Sequence, residues 1–338
     1  MAKAIEEQFK YSEHARKPVI RTKWCLPQIN LLFKLLRKKL IYIGLPGIEA
    51  LDVIAWIDYL DKVIAFQCSE YKEGSSKKQI DVIQLDNILE KLEREDKIKS
   101  SIVYQGFIED IIMGGLSERG QIYSQNEFLK IYNLDFCSNI STPREIRNGK
   151  GKITYYNKLQ VIEQLLNYQQ EAPTEMKGSK FIMYLTVNSN IFNGNVSKIK
   201  DKVFTDYFKR LNQITKAEVK AIRFMKAYCF HEISNLFEQY RFKAEFLPPI
   251  FYMGSSYPNQ NRGSKDQHHR MMTFTVLGTR AVSTKPYKQD VKSFLESKFI
   301  FATNNGFKCF SDTFIEESDF APNAVDLLTN SYTYKFLW

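Results

Sequence analysis

The run Leu40-Ile41-Tyr42-Ile43-Gly44-Leu45-Pro46-Gly47 constrains what this chain can fold into more than any other segment. Its apolar start has the length of a strand, and Gly44 and Gly47 then break it. Residues 48–60 follow with apolar side chains at helical spacing, and Lys62-Val63-Ile64-Ala65-Phe66 is a second apolar run. Strand, glycine turn, helix and strand in such quick succession make a βαβ unit, the opening of the Rossmann-type sheets that bind nucleotides or cofactors. Glycine suits the turn because, without a Cβ, the backbone bends tightly and a ligand can approach it closely.

At 338 residues the chain is long enough for one large or two ordinary domains with a real core. Its 44% hydrophobic and 25% charged residues are those of a globular protein rather than a disordered one. No apolar run approaches the ~20 residues of a membrane helix, and the polar start Met1-Ala2-Lys3-Ala4-Ile5-Glu6-Glu7 has no secretory core. Cys25, Cys68, Cys137, Cys229 and Cys309 show no CxxC spacing, so neither a zinc site nor a disulfide framework is indicated. A cytoplasmic protein with reduced thiols and no membrane partner is expected. The formal charge of +10 favours polyanionic partners. A lysine-rich, AT-rich coding background accounts for the same charge.

Residues 1–39 read as a basic helical extension, in which Pro27 can open a helix carrying Ile29, Leu32, Phe33 and Leu36 on one side. Lys34, Arg37, Lys38 and Lys39 gather towards its end, where they suit the helix dipole. Residues 40–280 alternate. Strands are expected at 40–44, 62–67, 101–105, 130–136 and 180–187, and helices at 48–60, 79–96, 107–115, 152–170 and 216–240. This pattern predicts an α/β domain with a mainly parallel sheet flanked by helices. Two later strands, around 244–252 and 269–278, flank a polar loop and suggest an antiparallel hairpin at the sheet edge. The segment 281–338, with Phe294, Phe299, Phe301 and Trp338, is expected to pack on the core.

This order of elements resembles the class I S-adenosylmethionine-dependent methyltransferases, whose seven-stranded Rossmann-like sheet ends in an antiparallel hairpin. The resemblance spans residues 40 to roughly 280, on short motifs. It places Tyr42, Gly44 and Gly47 under the methionine part of S-adenosylmethionine. The second strand of that family ends in an acid that holds the ribose hydroxyls; here Gln67 stands at that place and Glu70 comes three residues later. An amide accepts a hydroxyl proton but supplies neither charge nor a bidentate carboxylate. After the third strand, Glu109 or Asp110 falls where the family faces the adenine amino group. Both acids are equally well placed to begin a helix.

The fourth strand ends in Leu134-Asp135-Phe136-Cys137-Ser138-Asn139. An acid at a strand's C-terminal end in an open α/β sheet lies in the crevice where ligands bind. The resemblance, here to amino-group methyltransferases without their prolines, implies that Asp135 orients an exocyclic amine while Phe136 stacks on a base. The alternative is that Phe136 and Cys137 are core and Asp135 caps the turn. Arg262, Lys265 and Arg270, in a basic polar stretch with Tyr252 and Tyr257 nearby, can grip a phosphate backbone; a solvated loop fits the same residues. His268-His269 has no partner at metal spacing, and P-loop and nucleophile-elbow motifs are absent.

The leading expectation is therefore an S-adenosylmethionine-dependent methyltransferase acting on an amine or ring nitrogen of a nucleic acid. A second is a catalytically degenerate methyltransferase-like subunit that binds nucleic acid or a protein partner, for instance in a phage-defence (antiviral) or mobile-element assembly. Gln67 and the missing prolines after Asp135 speak for the second.

Overall fold

A computed structural model describes residues 16–68, 78–136, 138–147, 153–173, 179–189, 194–214, 217–253, 270–281, 289–297, 299–303, 305–310, 317–318 and 326–327. The N-terminal helical run begins with Lys17–Val19, passes through a π-helical stretch, Ile20–Cys25, and continues as α1, Leu26–Leu36. Pro27 lies in its first turn, where the missing N–H costs nothing. Arg37, in the left-handed region at φ 53°, ends it.

The βαβ unit follows as the glycine turn implied. β1 is Leu40–Gly44, α2 is Leu51–Trp56 and β2 is Leu60–Gln67. The helix is shorter than its apolar spacing suggests, because Ala50 at φ 49° precedes it and a 3-10 turn, Ile57–Tyr59, closes it. Next come α3 (Lys78–Arg94), β3 (Ser100–Gln105), α4 (Ile108–Gly114) and β4 (Ile131–Asp135). A small hairpin, β5 (Arg144–Arg147) and β6 (Ile153–Tyr156), stands apart from the main sheet.

The expected helix at 152–170 thus begins later. Its first residues are β6, and α5 is Lys158–Glu171. The helix starts at a capping box: Gln160 N–H donates to Asn157 Oδ1 at 3.1 Å, and Asn157 N–H donates to Gln160 Oε1 at 3.0 Å. β7 (Lys180–Asn188), α6 (Lys202–Leu211), α7 (Ala217–Gln239), β8 (Phe242–Phe246), β9 (Ile250–Met253) and β10 (Arg270–Arg280) complete the expected region. Beyond it lie α8 (Val291–Glu296), β11 (Phe299–Ala302), β12 (Phe307–Phe310) and β13 (Glu317–Ser318).

The main sheet has eleven strands in the order β13-β12-β11-β9-β10-β7-β4-β1-β2-β3, with β8 also paired to β10. Strands β3, β2, β1, β4 and β7 run parallel, while β10 runs antiparallel to β7. β8 and β9 pair with successive stretches of β10, so they act as one strand interrupted around Pro248 and Pro249, which cannot donate to the ladder. This is a Rossmann-like, methyltransferase-type sheet. The late hairpin does not lie at the sheet edge, however. β11 joins β9 in parallel, and β12 and β13 extend the sheet further.

Strand alternation divides the core in two. Ile43, Tyr132 and Met183 pack on one face with α4 to α7, and Leu40, Tyr42 and Ile131 pack on the other with α1 to α3. Phe294 and Phe299 are buried on the first face and Phe301 packs against it. Trp338 lies outside the described residues.

Candidate functional site

Strand order reverses at β1, which has β2 on one side and β4 on the other. In an open α/β sheet such a switch point leaves a crevice at the C-terminal strand ends, because the following segments turn to opposite faces. A cleft of about 1180 Å³ lies here, bounded by the turn after β1, the ends of β2, β3 and β4, and the N-terminal helical run.

Gly44 closes the bottom of this crevice rather than lining it. A Cβ at Gly44 would overlap the Asn133 carbonyl oxygen and lie 2.6 Å from the Tyr42 hydroxyl. The absent side chain therefore lets β1 and β4 approach, and Leu45 N–H donates to Asn133 O at 3.0 Å. Gly47 lines the cleft at φ 70°, with no atom within 4 Å of where a Cβ would stand. Tyr42 is fully buried beneath the cleft and is not among its lining residues. Burial and the nearby Asp52 charge push its hydroxyl well above the usual phenol range, so it stays protonated.

Asn133 links Tyr42 to the cleft. Its amide donates to Asp52 Oδ2 at 2.6 Å and to the Tyr42 oxygen at 3.3 Å. Asp52, in the first turn of α2, also accepts from Arg21 Nε at 2.5 Å. Asp135 ends β4 and accepts from Lys17 Nζ at 2.5 Å. Two basic residues of the N-terminal run thus reach across to acids on two different elements. Phe136 is 4% exposed, touches the cleft, and donates its N–H to Thr186 O at 2.9 Å.

On the opposite wall, Gln67 lines the cleft at the end of β2 and donates to the Cys68 carbonyl at 2.9 Å. Glu109 and Asp110 both fall in the first turn of α4, but they face different partners. Glu109 lines the cleft and pairs with Lys158 at 3.0 Å. Asp110 receives two bonds from Arg144, at 2.9 and 2.8 Å. The Arg144 guanidinium also lies 3.4 Å over the Phe107 ring. Burial opposes that charge, yet the Asp110 hydrogen bonds and the charge of Glu109 raise its pKa above the ordinary value.

Arg270 opens β10 and is not among the lining residues. Glu70, Cys137, Arg262, Lys265, His268 and His269 lie outside the described residues. The structure therefore gathers Gly47, Gln67, Glu109, Asp135 and Phe136 around one cleft, while Tyr42 and Gly44 lie below it. Sequence reading missed Lys17, Arg21, Asp52, Arg144 and Lys158. Of these only Lys158 carried a local signal, as the residue following Asn157 in the Asn157/Gln160 capping box. Among the described residues no group of His, Cys, Asp and Glu is arranged to hold a metal. No described helix is long and apolar enough to cross a membrane.

No curated protein matches the sequence. Among solved structures, YcgJ from Bacillus subtilis is similar at 8% identity and a TM-score of 0.38, over 75% of this chain and 98% of that one. Precorrin-6y C5,15-methyltransferase from Geobacter metallireducens is similar at 6% identity and a TM-score of 0.31, over 75% and 87%. Trm5b from Pyrococcus abyssi is similar at 9% identity and a TM-score of 0.35, over 74% and 48%. The fold assignment rests on the strand order and directions themselves. A family model described as PP_RS20740-like matches residues 6–245, and the chain belongs to that family.

Proposed function

We propose that the chain binds S-adenosylmethionine in the cleft at the β1–β4 switch point and transfers its methyl group to an amine or ring nitrogen of a nucleic acid. The observation that carries this reading is the position of Asp135. It ends β4 in the same cleft that Gly47 borders, with Phe136 beside it.

The residues present fit such a cofactor. The cleft is large enough for it, and Gly47 leaves open space at the turn. Arg21 and Asp52 supply a guanidinium and a carboxylate suited to its amino-acid end. Gln67 supplies an amide at the end of β2, the ribose position. Bound there, the cofactor supplies an electrophilic methyl group.

The protein's part is then mainly positioning, since an in-line displacement gains most from holding the reacting atoms in register. Asp135 would accept a hydrogen bond from an N–H of the acceptor, which orients the nucleophilic lone pair. Its negative charge would stabilise the nitrogen as it becomes cationic, before the proton of an amine acceptor is released to solvent. Phe136 lends an apolar surface beside it. The charge of +10 supports a polyanionic acceptor.

Calorimetry on purified, cofactor-stripped protein tests the first half. Micromolar affinity, about 8 kcal/mol, is expected, and no binding by folded protein rejects the reading. Transfer of labelled methyl from S-adenosylmethionine to mixed RNA and DNA tests the second. Nucleic-acid affinity should fall steeply with salt.

A further inference from the structure

The cleft continues past β4, on the side away from β1 and β2, over the ends of β7 and β10. In the ladders Asp135 is in register with Thr186 of β7, and Thr186 with Thr273 of β10. Register partners project to the same face, so Thr186 and Thr273 prolong the row that Asp135 begins. Both border the cleft, although only 7% and 3% of them is exposed. The walls of this second lobe include Ile20, Cys25, Tyr184 and Tyr252. Tyr184 already spends its hydroxyl on the Cys25 carbonyl at 3.2 Å.

The two threonine oxygens lie 2.8 Å apart, and either can be the donor. Two hydroxyls carry two protons, and this contact uses one. Neither side chain makes another hydrogen bond among the described residues, so the second proton has no acceptor there. A buried donor left unmet is costly. Valine at both positions would fill the same space with nothing unmet, so the pair of hydroxyls is suited to a ligand rather than to packing.

We infer that Thr186 and Thr273 form a specificity-determining pair that presents one O–H to an accepting atom of the ligand, an unprotonated ring nitrogen or a carbonyl oxygen. The use of the pair rests on the methyl-transfer reading. Under it, the methyl acceptor is a heterocyclic base, which carries such an atom beside the nitrogen that reacts. An alkyl amine carries none and leaves the donor unmet.

The test uses the full chain and two probes of equal shape: pyridine, which has one ring acceptor, and benzene, which has none. Both are uncharged in neutral buffer and are titrated by NMR into wild type, Thr186→Val/Thr273→Val and Thr186→Ser/Thr273→Ser. The valines keep the shape and lose the hydroxyls, the serines do the reverse, and thermal melts confirm that each is folded. The ratio of pyridine to benzene affinity should fall at least about fivefold in the valine variant and stay within about twofold of wild type in the serine variant. An unchanged ratio in the valine variant, or an equal fall in the serine variant, overturns the inference. A purely structural pair would move the melts and not the ratio. If the valine variant fails to fold, Thr186→Val/Thr273→Ala takes its place. S-adenosylmethionine affinity is read on the same samples. Cofactor binding with an unchanged ratio overturns the role of the pair and leaves methyl transfer standing; the expected fall without cofactor binding supports the pair and rejects methyl transfer.

Discussion

Glu109 and Lys158 form an ion pair at 3.0 Å in the cleft wall, with only 5% and 9% of their side chains exposed. The pair ties the start of α4 to the start of α5 and so fixes two elements that follow β3 and β6. Its desolvation is costly, and only the mutual attraction and local hydrogen bonding offset it.

Removing one partner leaves the other buried without a counter-charge. Glu109→Gln and Lys158→Met should each lower stability by about 3–5 kcal/mol, while Glu109→Leu/Lys158→Met together should come close to neutral. Urea denaturation of the three variants checks this. Single variants within ~1 kcal/mol of wild type would mean that the pair behaves as a surface pair.

Gly44 and Gly47 are needed for different reasons, and substitution should separate them. Gly44→Ala places a Cβ against the Asn133 carbonyl and should cost roughly 1–3 kcal/mol by overpacking. Gly47→Ala meets no atom but is strained at φ 70°, so asparagine, which tolerates that region, should be accepted at 47 and not at 44. Thermal melts of Gly44→Asn and Gly47→Asn give the comparison. Equal losses would refute the distinction.

Asp135→Ala should abolish methyl transfer and leave S-adenosylmethionine affinity within about twofold, well under 1 kcal/mol. Labelled-methyl assays and calorimetry on the same preparation read both quantities. A parallel loss of cofactor affinity would move Asp135 from the acceptor side to the cofactor side.

Trp24 is fully buried and its indole N–H donates to the Thr275 hydroxyl. Trp24→Phe keeps most of the apolar volume and strands that hydroxyl, so a loss of about 1–3 kcal/mol is expected. Adding Thr275→Val should recover part of it, because both ends of the bond are then removed together. A double variant no better than the single would assign the loss to packing alone.

Lys180 opens β7 at a buried position, and burial pushes its amine down from 10.5 to about 8, with Glu245 opposing and Lys243 adding to the shift. Above about pH 8 the folded chain has released this proton while the unfolded chain still holds it. Stability from this group therefore rises with pH between about 8 and 10.5 and is lowest below that window. Buried phenols such as Tyr42 and Tyr184, raised by burial, act in the opposite sense at high pH. The difference between wild type and Lys180→Met isolates the lysine. In urea melts from pH 7 to 10 wild type should gain on the variant, and a constant difference would contradict the shift.

Strand positions were legible because buried parallel strands are short apolar runs. β1 falls on the residues its pattern marks, and β2, β3, β4 and β7 differ only at their ends. The β5–β6 hairpin was not legible. Its exposed Ile153 and Tyr155 alternate over only four residues beside a long helical pattern, and the longer period masks the shorter. The C-terminal strands were missed because Phe299, Phe301 and Phe307 signal burial without saying against what.

The sequence by itself determined that a βαβ unit opens an α/β sheet, that the glycine turn follows β1, and that Asp135 falls at the end of a strand. These are local properties: apolar periodicity, a missing Cβ and a strand's length. Only the tertiary structure decided that Gly44 serves strand packing, that Glu109 and Asp110 take separate partners, and that Lys17 and Arg21 reach the cleft. Lys17 and Asp135 stand 118 positions apart. Nothing in the short-range pattern of either segment encodes the pairing; it exists because the N-terminal run and the end of β4 are brought together by the core between them.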